Sequence, residues 1–384
     1  MTFLVLLLAR TSYHIRHLQI KLIIMSKRII AIYLPQFHPF KENNEWWGEG
    51  FTEWRNVVNA RPRYRGHYQP RCPQDLGFYD LRLSQSRIDQ ANLAKKYGIH
   101  GFCYYHYWFN GKVLMEEPMK GMLECKEPNF PFMICWANEN WTRAWDGRER
   151  HMLIEQKYSE EDDVNHIKYL LPYLKDERYL KIDGKPVIAI YRSPLLPDVD
   201  RTINTWKTEA RKQGLELYIV RFESANQCGK EYLHSFDASV EFQPISKNGY
   251  KYSLFQRVVN TITRKFGWDS YLPTHINYKR YVDYQLKHQF VNEYKRFPCV
   301  TPMWDNSPRR KKAYFSFKNT KPEYYKRWLA GVLKKFIPYS EDENLVFINA
   351  WNEWAEGNYL EPDLKYGRAY LEATKEAIEE NNNE

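Results

Sequence analysis

The stretch Leu345–Gly357, LVFINAWNEWAEG, joins an apolar run to a cluster of polar and aromatic residues. Its first part, Leu345–Ala350, is apolar and partly β-branched, which predicts a buried strand. Its second part places Asn352, Glu353 and Glu356 directly after that strand. In a parallel α/β fold, side chains that follow the strands meet at one edge of the sheet. The stretch therefore predicts a strand that ends in a functional site.

Seven further apolar runs occur before this stretch, and segments with helical spacing separate them. The predicted strands are Arg28–Tyr33, Gly101–Tyr105, Phe132–Ala137, Val187–Tyr191, Leu217–Val220, Ala238–Glu241 and Cys299–Met303. The predicted helices are Ser84–Tyr97, Glu160–Leu174, Arg201–Gln213, Lys321–Phe336 and Ala369–Glu380. Eight strands that alternate with helices indicate a parallel α/β fold.

Two parallel architectures fit this order, a doubly wound sheet and a closed barrel. The sequence has no glycine-rich phosphate loop after a strand. Nearly every strand is followed by polar or aromatic residues, as at the functional face of a barrel. The sequence therefore predicts one α/β domain, a single (β/α)8 TIM barrel with long loops at its C-terminal face. The basic, tyrosine-rich segment Gln243–Arg296 is interpreted as an insertion beside that face.

The first 24 residues differ from the rest of the chain. Their apolar stretch, Phe3–Ala9, is short, follows no basic residue and precedes no clear cleavage site. A strand begins soon after Met25, so we expect residues 1–24 to be an N-terminal extension and residues 25–384 to form the barrel domain. A membrane-surface anchor is the alternative, because the extension mixes leucine and isoleucine with basic residues.

The composition is that of a globular protein with a surplus of aromatic rings. Hydrophobic residues make up 43% of the 384 positions and charged residues 27%, which excludes a disordered chain, a collagen and a coiled coil. A mean hydropathy of −0.70 argues against a membrane-spanning protein. The 13 Trp and 30 Tyr exceed what a core requires. They indicate a cleft lined with rings that stack on sugars or bases.

The net charge of +10 favours anionic partners, and solubility alone is the alternative explanation. The run Arg309–Lys312 lacks the aromatic spacing of a nucleic-acid module and is interpreted as a solvated loop. We therefore expect no nucleic-acid partner. A nucleic-acid binder, suggested by the charge alone, would show strongly salt-dependent DNA binding.

The chain offers no recognisable metal or cofactor motif. The six cysteines form no CxxC pair and match no zinc pattern, so we expect buried, reduced thiols in a cytoplasmic protein. Asp198-Val199-Asp200 matches a DxD metal pattern, but Asp200 stands at a helix start and is better explained as an N-cap. We expect no cofactor and no metal.

Polar and aromatic side chains follow one strand after another, and we expect them to bind the substrate around one mouth. A lone His or Trp after a strand is more often structural, but their recurrence at one end indicates a cleft. The predicted substrate-binding residues are His38, Trp46, Trp47, His106, Tyr107, Trp108, Asn138, Glu139, Asn140, Trp141, Asp305 and Asn352. Trp145 is expected at the same mouth.

Glu353 and Glu356 are the predicted catalytic residues. Two close carboxylates in a partly apolar site have separated pKa values, because one negative charge disfavours the second. Glycosidic bond chemistry needs such an acid and base. Two solvated loop acids are the alternative, and the flanking Trp351 and Trp354 argue against it.

Seven segments resemble, in the same order, the WbsX-type polysaccharide biosynthesis proteins. They are YLPQFHP at Tyr33–Pro39, WWGEGFTEW at Trp46–Trp54, GHYQP at Gly66–Pro70, LGFYDLR at Leu76–Arg82, GFCYYHYWFNGK at Gly101–Lys112, CWANENWTRAWDG at Cys135–Gly147 and NAWNEWAEGNYLEPD at Asn349–Asp363. The resemblance extends from Lys27 to Leu371. These proteins are similar to the glycoside hydrolase family 99 endo-α-mannosidases, so the resemblance implies a (β/α)8 barrel.

In those mannosidases a Glu-Trp-x-Glu segment near the last strand carries both catalytic carboxylates, and Glu353-Trp354-Ala355-Glu356 matches it. The resemblance implies that Glu353 assists the sugar 2-hydroxyl in attacking the anomeric carbon, through an anhydro-sugar intermediate. It implies that Glu356 protonates the leaving oxygen and later activates the acceptor. Ala355 stands where the mannosidase segment normally has His.

These observations predict a carbohydrate-active enzyme, a glycosyltransferase or a glycoside hydrolase, of bacterial cell-surface polysaccharide (O-antigen or lipopolysaccharide) biosynthesis or processing. Its expected partner is a glycan or a lipid-linked oligosaccharide. Its expected location is the cytoplasm, with peripheral contact to the inner membrane as an open question. A non-catalytic glycan-binding barrel is the alternative function. The sugar, the linkage and the direction of the reaction stay open.

Overall fold

The computed structural model describes residues 27–143, 148–223, 227–244, 254–266, 272–290 and 293–383. The predicted N-terminal extension, residues 1–24, lies outside the described residues, and so do Met25 and Trp145. Within the described ranges the chain forms a parallel sheet that curls into a barrel, with helices around it.

The barrel consists of nine parallel strands, which we number in chain order. They are β1 (Arg28–Tyr33), β2 (Gly101–Phe109), β3 (Phe132–Trp136), β4 (Lys185–Ile190), β5 (Tyr218–Phe222), β6 (Ala238–Val240), β7 (Arg296–Phe297), β8 (Cys299–Val300) and β9 (Leu345–Ile348). Their residues are almost all buried because helices cover the outside and side chains fill the inside. This burial explains the continuous apolar runs of the sequence.

The strand order is β7-β6-β5-β4-β3-β2-β1-β9-β8. The two ends of this order, β7 and β8, are consecutive in the chain and are separated by Pro298 alone. Ser239 pairs with Arg296 on one side of Pro298, and Cys299 pairs with Phe347 on the other. One interrupted strand therefore bridges β6 and β9 and nearly closes the barrel, which confirms the predicted fold class.

Ten α-helices are present in the described ranges. They are Lys41–Trp47, Trp54–Asn59, Ser84–Lys96, Glu117–Cys125, Glu160–Leu174, Val199–Arg211, Leu254–Lys265, Tyr278–His288, Pro322–Lys335 and Ala369–Asn383. The helix at Glu160 begins where Ser159 accepts a hydrogen bond from the Asp162 amide. The helix at Val199 begins in the same way at Asp198, whose side chain accepts from Arg201. The N-cap is therefore Asp198, and the expectation that Asp200 fills this role was wrong, because Asp200 accepts instead from Ser235.

Short strands and 3₁₀ turns lie in the connections between the barrel strands and the helices. The short strands are Lys112–Leu114, Trp141–Arg143, Arg148–Ile154, Lys181–Ile182, Thr274–Asn277, Phe315–Lys318, Asn352–Glu353 and Asn358–Tyr359, and the 3₁₀ turns are Ser193–Leu195, Lys230–Tyr232 and Trp354–Glu356. The predicted insertion contains the helices that begin at Leu254 and Tyr278. Its strand Thr274–Asn277 pairs in parallel with Phe315–Lys318.

The aromatic surplus is divided between core and cleft. Trp136, Trp206, Trp328, Trp351 and Trp354 are fully buried, so the interior uses more large rings than we expected. Three cysteines behave as predicted, since Cys103, Cys135 and Cys299 are buried. Cys125 and Cys228 are exposed, which corrects the expectation of buried thiols. In the ranges listed above, no helix is long and apolar enough to cross a membrane.

Candidate active site

The C-terminal ends of the strands open into a cleft of about 770 Å³. Its walls come from residues within β2 and from residues that follow β1, β3, β4, β5, β6, β8 and β9, as expected at the functional face of a barrel. The described lining residues are Leu34, Gln36, Tyr105, Tyr107, Ala137, Glu139, Asn140, Trp141, Thr142, Tyr191, Arg192, Gln227, Phe242, Pro244, Trp304, Asn306, Arg309, Arg310, Asn349, Glu353 and Glu356. Polar groups and aromatic rings share this surface, a mixture that suits a sugar.

One guanidinium joins three carboxylates in the wall of the cleft. Arg309 donates from Nε to Glu53 Oε1 at 3.0 Å and from Nη2 to Glu353 Oε2 at 3.0 Å. Its Nη1 lies 2.7 Å from Glu356 Oε1. The Arg309 side chain is only 11% exposed, so these contacts lie in a medium that strengthens electrostatic interactions. We call these four residues the carboxylate cluster.

A tight turn fixes the two predicted catalytic residues. Glu353 ends a two-residue strand that pairs with Asn358–Tyr359, and Glu356 lies in the 3₁₀ turn between the two strands. Gly357 closes the turn with a φ of +53°, and a Cβ at this position would lie 2.9 Å from the Cβ of Asp305. Both the backbone conformation and the close approach require glycine here. The turn thereby sets the spacing of the two carboxylates.

A buried network behind the turn holds Glu356 in place. The Asp305 amide donates to the Glu356 carbonyl at 2.6 Å, and Asp305 Oδ2 accepts from Gln69 at 2.7 Å. His67 Nδ1 accepts from the Arg63 amide, so its Nε2 donates to the same Asp305 oxygen at 2.6 Å. Burial alone would raise the pKa of Asp305, but these donors keep that pKa below its usual value. Asp305 is therefore an ionised anchor for the turn.

Burial governs the protonation of Glu353. Desolvation raises the pKa of this carboxyl to about 8, against the opposing effect of the Arg309 charge. The negative charges of Glu356 and Glu53 act in the same direction as burial. The two predicted catalytic residues therefore sit in different environments, since Glu353 is 8% exposed and Glu356 is 22% exposed at the side chain. The structure does not place them as two solvated loop acids.

A second charged pair lines the cleft at the ends of β3 and β4. Arg192 Nε donates to Glu139 Oε1 at 3.0 Å, and its guanidinium lies 4.0 Å from the ring centroid of Tyr191. Asn138 holds the backbone of Arg192 from both sides, because its Oδ1 accepts from the amide and its Nδ2 donates to the carbonyl. This part of the cleft can contact hydroxyl or anionic groups of a ligand.

Four of the twelve predicted substrate-binding residues line the cleft. They are Tyr107, Glu139, Asn140 and Trp141. The Trp141 ring packs edge-on against Tyr107, with centroids 5.2 Å apart. The Trp46 ring packs near Trp141, with ring centroids 6.2 Å apart. The Trp47 ring contacts Phe51. That any of them binds a substrate stays a prediction.

Three predicted residues lie in the core instead. Trp108 stacks on His166 with centroids 4.7 Å apart and donates to Asp162 at 3.0 Å. His106 lies 3.0 Å from His166, and burial lowers its pKa to about 3. Burial likewise lowers the pKa of His38 to about 4. Their location corrects the expectation of a shared mouth. For His106 and Trp108 the reason is that β2 continues to Phe109 and carries both rings into packed layers, whereas His38 lies buried in the loop after β1.

The predicted amides and Asp305 act on the backbone of the site. Asn352 bonds to both the amide and the carbonyl of Leu34, which ties the loop after β1 to the turn after β9. Asn138 fixes the backbone of Arg192 in the same manner, and the Asp305 backbone amide donates to the Glu356 carbonyl. The structure thus brings these residues next to the cleft as supports of its lining residues.

Sequence reasoning missed Arg309 and Glu53. The run Arg309–Lys312 was expected to be a solvated loop, and for Arg309 this expectation was wrong because three carboxylates surround it. Glu53 is fully buried. Its place in the motif WWGEGFTEW was the available signal. Among the described residues, no group of three or more His, Cys, Asp or Glu side chains is arranged to hold a metal ion.

Comparisons with known proteins agree with this architecture. Residues 29–374 match the family described as "Glycosyltransferase WbsX". The chain is 39% identical over 354 residues to "Uncharacterized protein WxcX" of Xanthomonas campestris pv. campestris strain B100. It is 39% identical over 352 residues to the same-named protein of strain ATCC 33913. These alignments cover 91% of the chain and 49% of each relative, so the chain spans about half the length of these curated relatives.

Solved structures share the fold at low sequence identity. A "Glycoside hydrolase-like protein" superposes with a TM-score of 0.57 at 15% identity, over 92% of this chain and 94% of that one. The GH99 endo-α-mannosidase from Bacteroides thetaiotaomicron superposes with a TM-score of 0.55 at 12% identity, over 93% of this chain and 98% of that one. The barrel is therefore similar to those of glycoside hydrolases. Since the family match covers most of the sequence, the chain belongs to the WbsX glycosyltransferase family.

Proposed function

We propose that this chain is a carbohydrate-active enzyme that transfers or hydrolyses glycosyl units of a bacterial cell-surface polysaccharide or of its lipid-linked precursor. The observation that carries the proposal is the carboxylate cluster, in which Glu353 and Glu356 contact one guanidinium in the wall of one cleft. Membership of the WbsX family and the barrel fold support a glycan as the substrate.

In the proposed first step, Glu353 takes the proton of the sugar 2-hydroxyl while that oxygen attacks the anomeric carbon. Glu356 gives a proton to the leaving glycosidic oxygen as its bond to the anomeric carbon breaks. In the second step, water or a sugar hydroxyl opens the anhydro ring, and its proton goes to Glu356. The opened oxygen recovers its proton from Glu353, so both carboxyls return to their starting states.

The environment of Glu353 suits the role of base. Its pKa of about 8 lies close to neutral pH, so a fraction of Glu353 is ionised there, and this fraction has a strong affinity for the hydroxyl proton. The contact with Arg309 uses one oxygen of each carboxylate, which leaves the second oxygen of each for the sugar. Arg309 balances part of the negative charge and holds the pair at a fixed separation.

A glycan-binding barrel without catalysis is the second candidate, and the same cluster favours it. A carboxylate that is held in an ion pair can serve as a hydrogen-bond acceptor for hydroxyl groups without moving a proton. The two candidates differ in what happens when the carboxylate is replaced by its amide. Gln keeps the shape and hydrogen-bonding capacity but cannot cycle a proton.

The decisive experiment deletes the gene in the native host and restores it as wild type, Glu353→Gln or Glu356→Gln. Mass spectrometry of the surface glycans then reports the product. Longer chains in the deletion strain indicate trimming, and missing residues indicate synthesis. Failure of both amide variants to restore the glycan, at normal protein levels, supports catalysis. Full restoration by either variant would reject the catalytic pair and favour the binding role.

A further inference from the structure

The helix Leu254–Lys265 turns an apolar stripe toward solvent. Leu254, Phe255, Val258 and Ile262 are 78%, 69%, 50% and 49% exposed. At 3.6 residues per turn these four side chains fall within an arc of about 100° on one side of the helix. Phe266, directly after the helix, extends the same side and is 69% exposed. Together these five residues form what we call the apolar stripe.

The stripe is not the packing side of the helix. Thr263 is buried and Val259 is half-buried, and both project beside the stripe, toward the opposite side of the helix. A surface helix of a globular protein normally packs its apolar side on the core and exposes its polar side. This helix exposes its most apolar residues, so the stripe is suited to a surface outside the chain.

The positive charge of the segment around the helix indicates which kind of external surface the apolar stripe binds. Residues 242–268 contain five basic residues and no acidic residue. The basic residues are Lys247, Lys251, Arg257, Arg264 and Lys265. A second copy of the chain, docked by twofold symmetry, would bring these like charges together. A bilayer with anionic headgroups can bind both the apolar stripe, through its acyl chains, and the positive charges, through its headgroups.

Described residues before and after the helix belong to the cleft or lie close to it in the chain. Pro244, ten residues before Leu254, lines the cleft. After the helix, Thr274–Asn277 pairs with Phe315–Lys318, a strand that closely follows the cleft residues Arg309 and Arg310. The described residues that flank the helix in the chain therefore lie at or near the functional face.

We propose that the helix Leu254–Lys265 is an interfacial helix that binds an anionic phospholipid surface and holds the mouth of the cleft next to it. Rings and aliphatic side chains of the stripe enter the boundary between headgroups and acyl chains, and the exposed side chains of Arg257 and Lys265 contact lipid phosphates. The inference does not depend on catalysis, and it supplies a physical reason for a glycan substrate that is linked to lipid.

The test measures sedimentation of the full chain with vesicles of phosphatidylcholine or of an equimolar mixture with phosphatidylglycerol. We expect strong binding to the anionic vesicles at about 0.1 M salt, weaker binding to the neutral vesicles, and a clear loss at about 1 M salt. The double variant Phe255→Glu and Val258→Glu should bind the anionic vesicles at least tenfold more weakly.

A matched control carries two glutamates at exposed leucines outside the helix, Leu83→Glu and Leu364→Glu, whose native side chains are 60% and 67% exposed. It adds the same charge and should bind like wild type. Glu356→Gln should also bind normally, so failure of the proposed catalysis would not disturb this result. Equal binding of wild type and the helix variant would overturn the proposal, as would loss of binding in the control. The proposal would also be overturned if the wild type forms a dimer that does not bind vesicles and the helix variant is monomeric. The stripe would then serve self-association.

Discussion

Two buried glutamates, eight residues apart after β9, show how location decides what a carboxyl can do. Burial raises the pKa of Glu353 to about 8 and that of Glu361 to about 7. Glu353 meets Arg309 and two other carboxylates in the wall of the cleft. Glu361 is 2% exposed and accepts hydrogen bonds from neutral donors, among them Tyr79, Gln90 and Trp354.

The comparison shows that a raised pKa does not by itself identify a catalytic carboxyl. A raised pKa by itself indicates burial. Glu361 has a raised pKa, yet it is not among the described residues that line the cleft. Access to the cleft and a charged neighbour distinguish Glu353 as a candidate for chemistry. Trp354, the residue after Glu353, contacts Glu361 directly, because its indole N–H donates to that carboxyl. Its ring stacks on Tyr359 with centroids 3.9 Å apart.

The largest expected effect comes from removing the cation of the cluster. Arg309→Met leaves Glu53, Glu353 and Glu356 buried together without compensation, and breaking a buried pair in this way costs about 3–5 kcal/mol. We expect the melting temperature to fall by about 4–7 °C, because a domain of this length has a large unfolding entropy. Thermal unfolding followed by circular dichroism measures this loss.

Lys311→Met provides the control in the same basic run, because Lys311 is exposed. Its melting temperature should stay within about 1–2 °C of wild type. A similar small change for Arg309→Met would show that the cluster is not a supporting element of the fold.

The next effect in size concerns turnover. Glu353→Gln and Glu356→Gln should each lower turnover about 100-fold or more, the scale of lost general acid–base catalysis. Glu361→Gln makes the same chemical change away from the cleft and should stay within about threefold of wild type. The glycan recovered from the deletion strain serves as the substrate for this comparison. Equal losses at Glu353 and Glu361 would break the distinction between them.

Glu361→Gln should instead reduce stability. One oxygen of Glu361 accepts from Gln90 and the other accepts from Tyr79 and Trp354. An amide turns one of these acceptors into a donor, which costs about 1–3 kcal/mol in a buried site. Denaturant titration at neutral pH measures the difference. An unchanged midpoint would mean that the network rearranges without cost.

The smallest expected effect is a difference in the pH dependence of stability. Because its pKa is raised on folding, Glu353 favours the native state below its ordinary pKa near 4.5, and this contribution fades as pH rises through about 8. For Glu361 the same contribution fades by about pH 7. Each amide variant should therefore lose one component of the slope, at most about 1.4 kcal/mol per pH unit.

Melting curves of both variants and wild type between pH 5 and pH 9 measure these slopes. The stability of Glu353→Gln relative to wild type should keep rising to about pH 8, and that of Glu361→Gln should level off about one pH unit earlier. Identical profiles would show that the two carboxyls share one environment.

The sequence predicted the barrel because its strands are buried on both faces and therefore read as apolar runs. The predicted helix Glu160–Leu174 has the observed bounds, since Ser159 and the acidic residues after it mark a clear N-terminus. The strand predicted at Cys299–Met303 was too long, and Arg296–Phe297 was missed. Pro298 divides this strand into two pairs of residues, which are too short to show a pattern.

The site was predicted less well than the fold because distant segments build it. The rule that residues after parallel strands meet at one edge of the sheet correctly predicted that four residues lie at the cleft. They are Tyr107, Glu139, Asn140 and Trp141. The same rule could not predict that His106 and Trp108 are buried in a packed layer. Their burial depends on the helix Glu160–Leu174, which supplies their partners His166 and Asp162. Arg309 was missed because its partners Glu53 and Glu353 lie 256 and 44 residues away.

The pairing of β1 with β9 has a consequence for synthesis on the ribosome. Arg28 pairs with Leu345 and also contacts Asn344, which lies 316 residues further along the chain. At roughly 5–20 residues per second, β9 leaves the ribosome roughly 15–60 s after β1. β2 can cover one edge of β1 early, but the other edge stays open through most of translation. The nascent chain therefore carries an unpaired strand edge, the kind of surface that templates aggregation, until its last barrel strand is made.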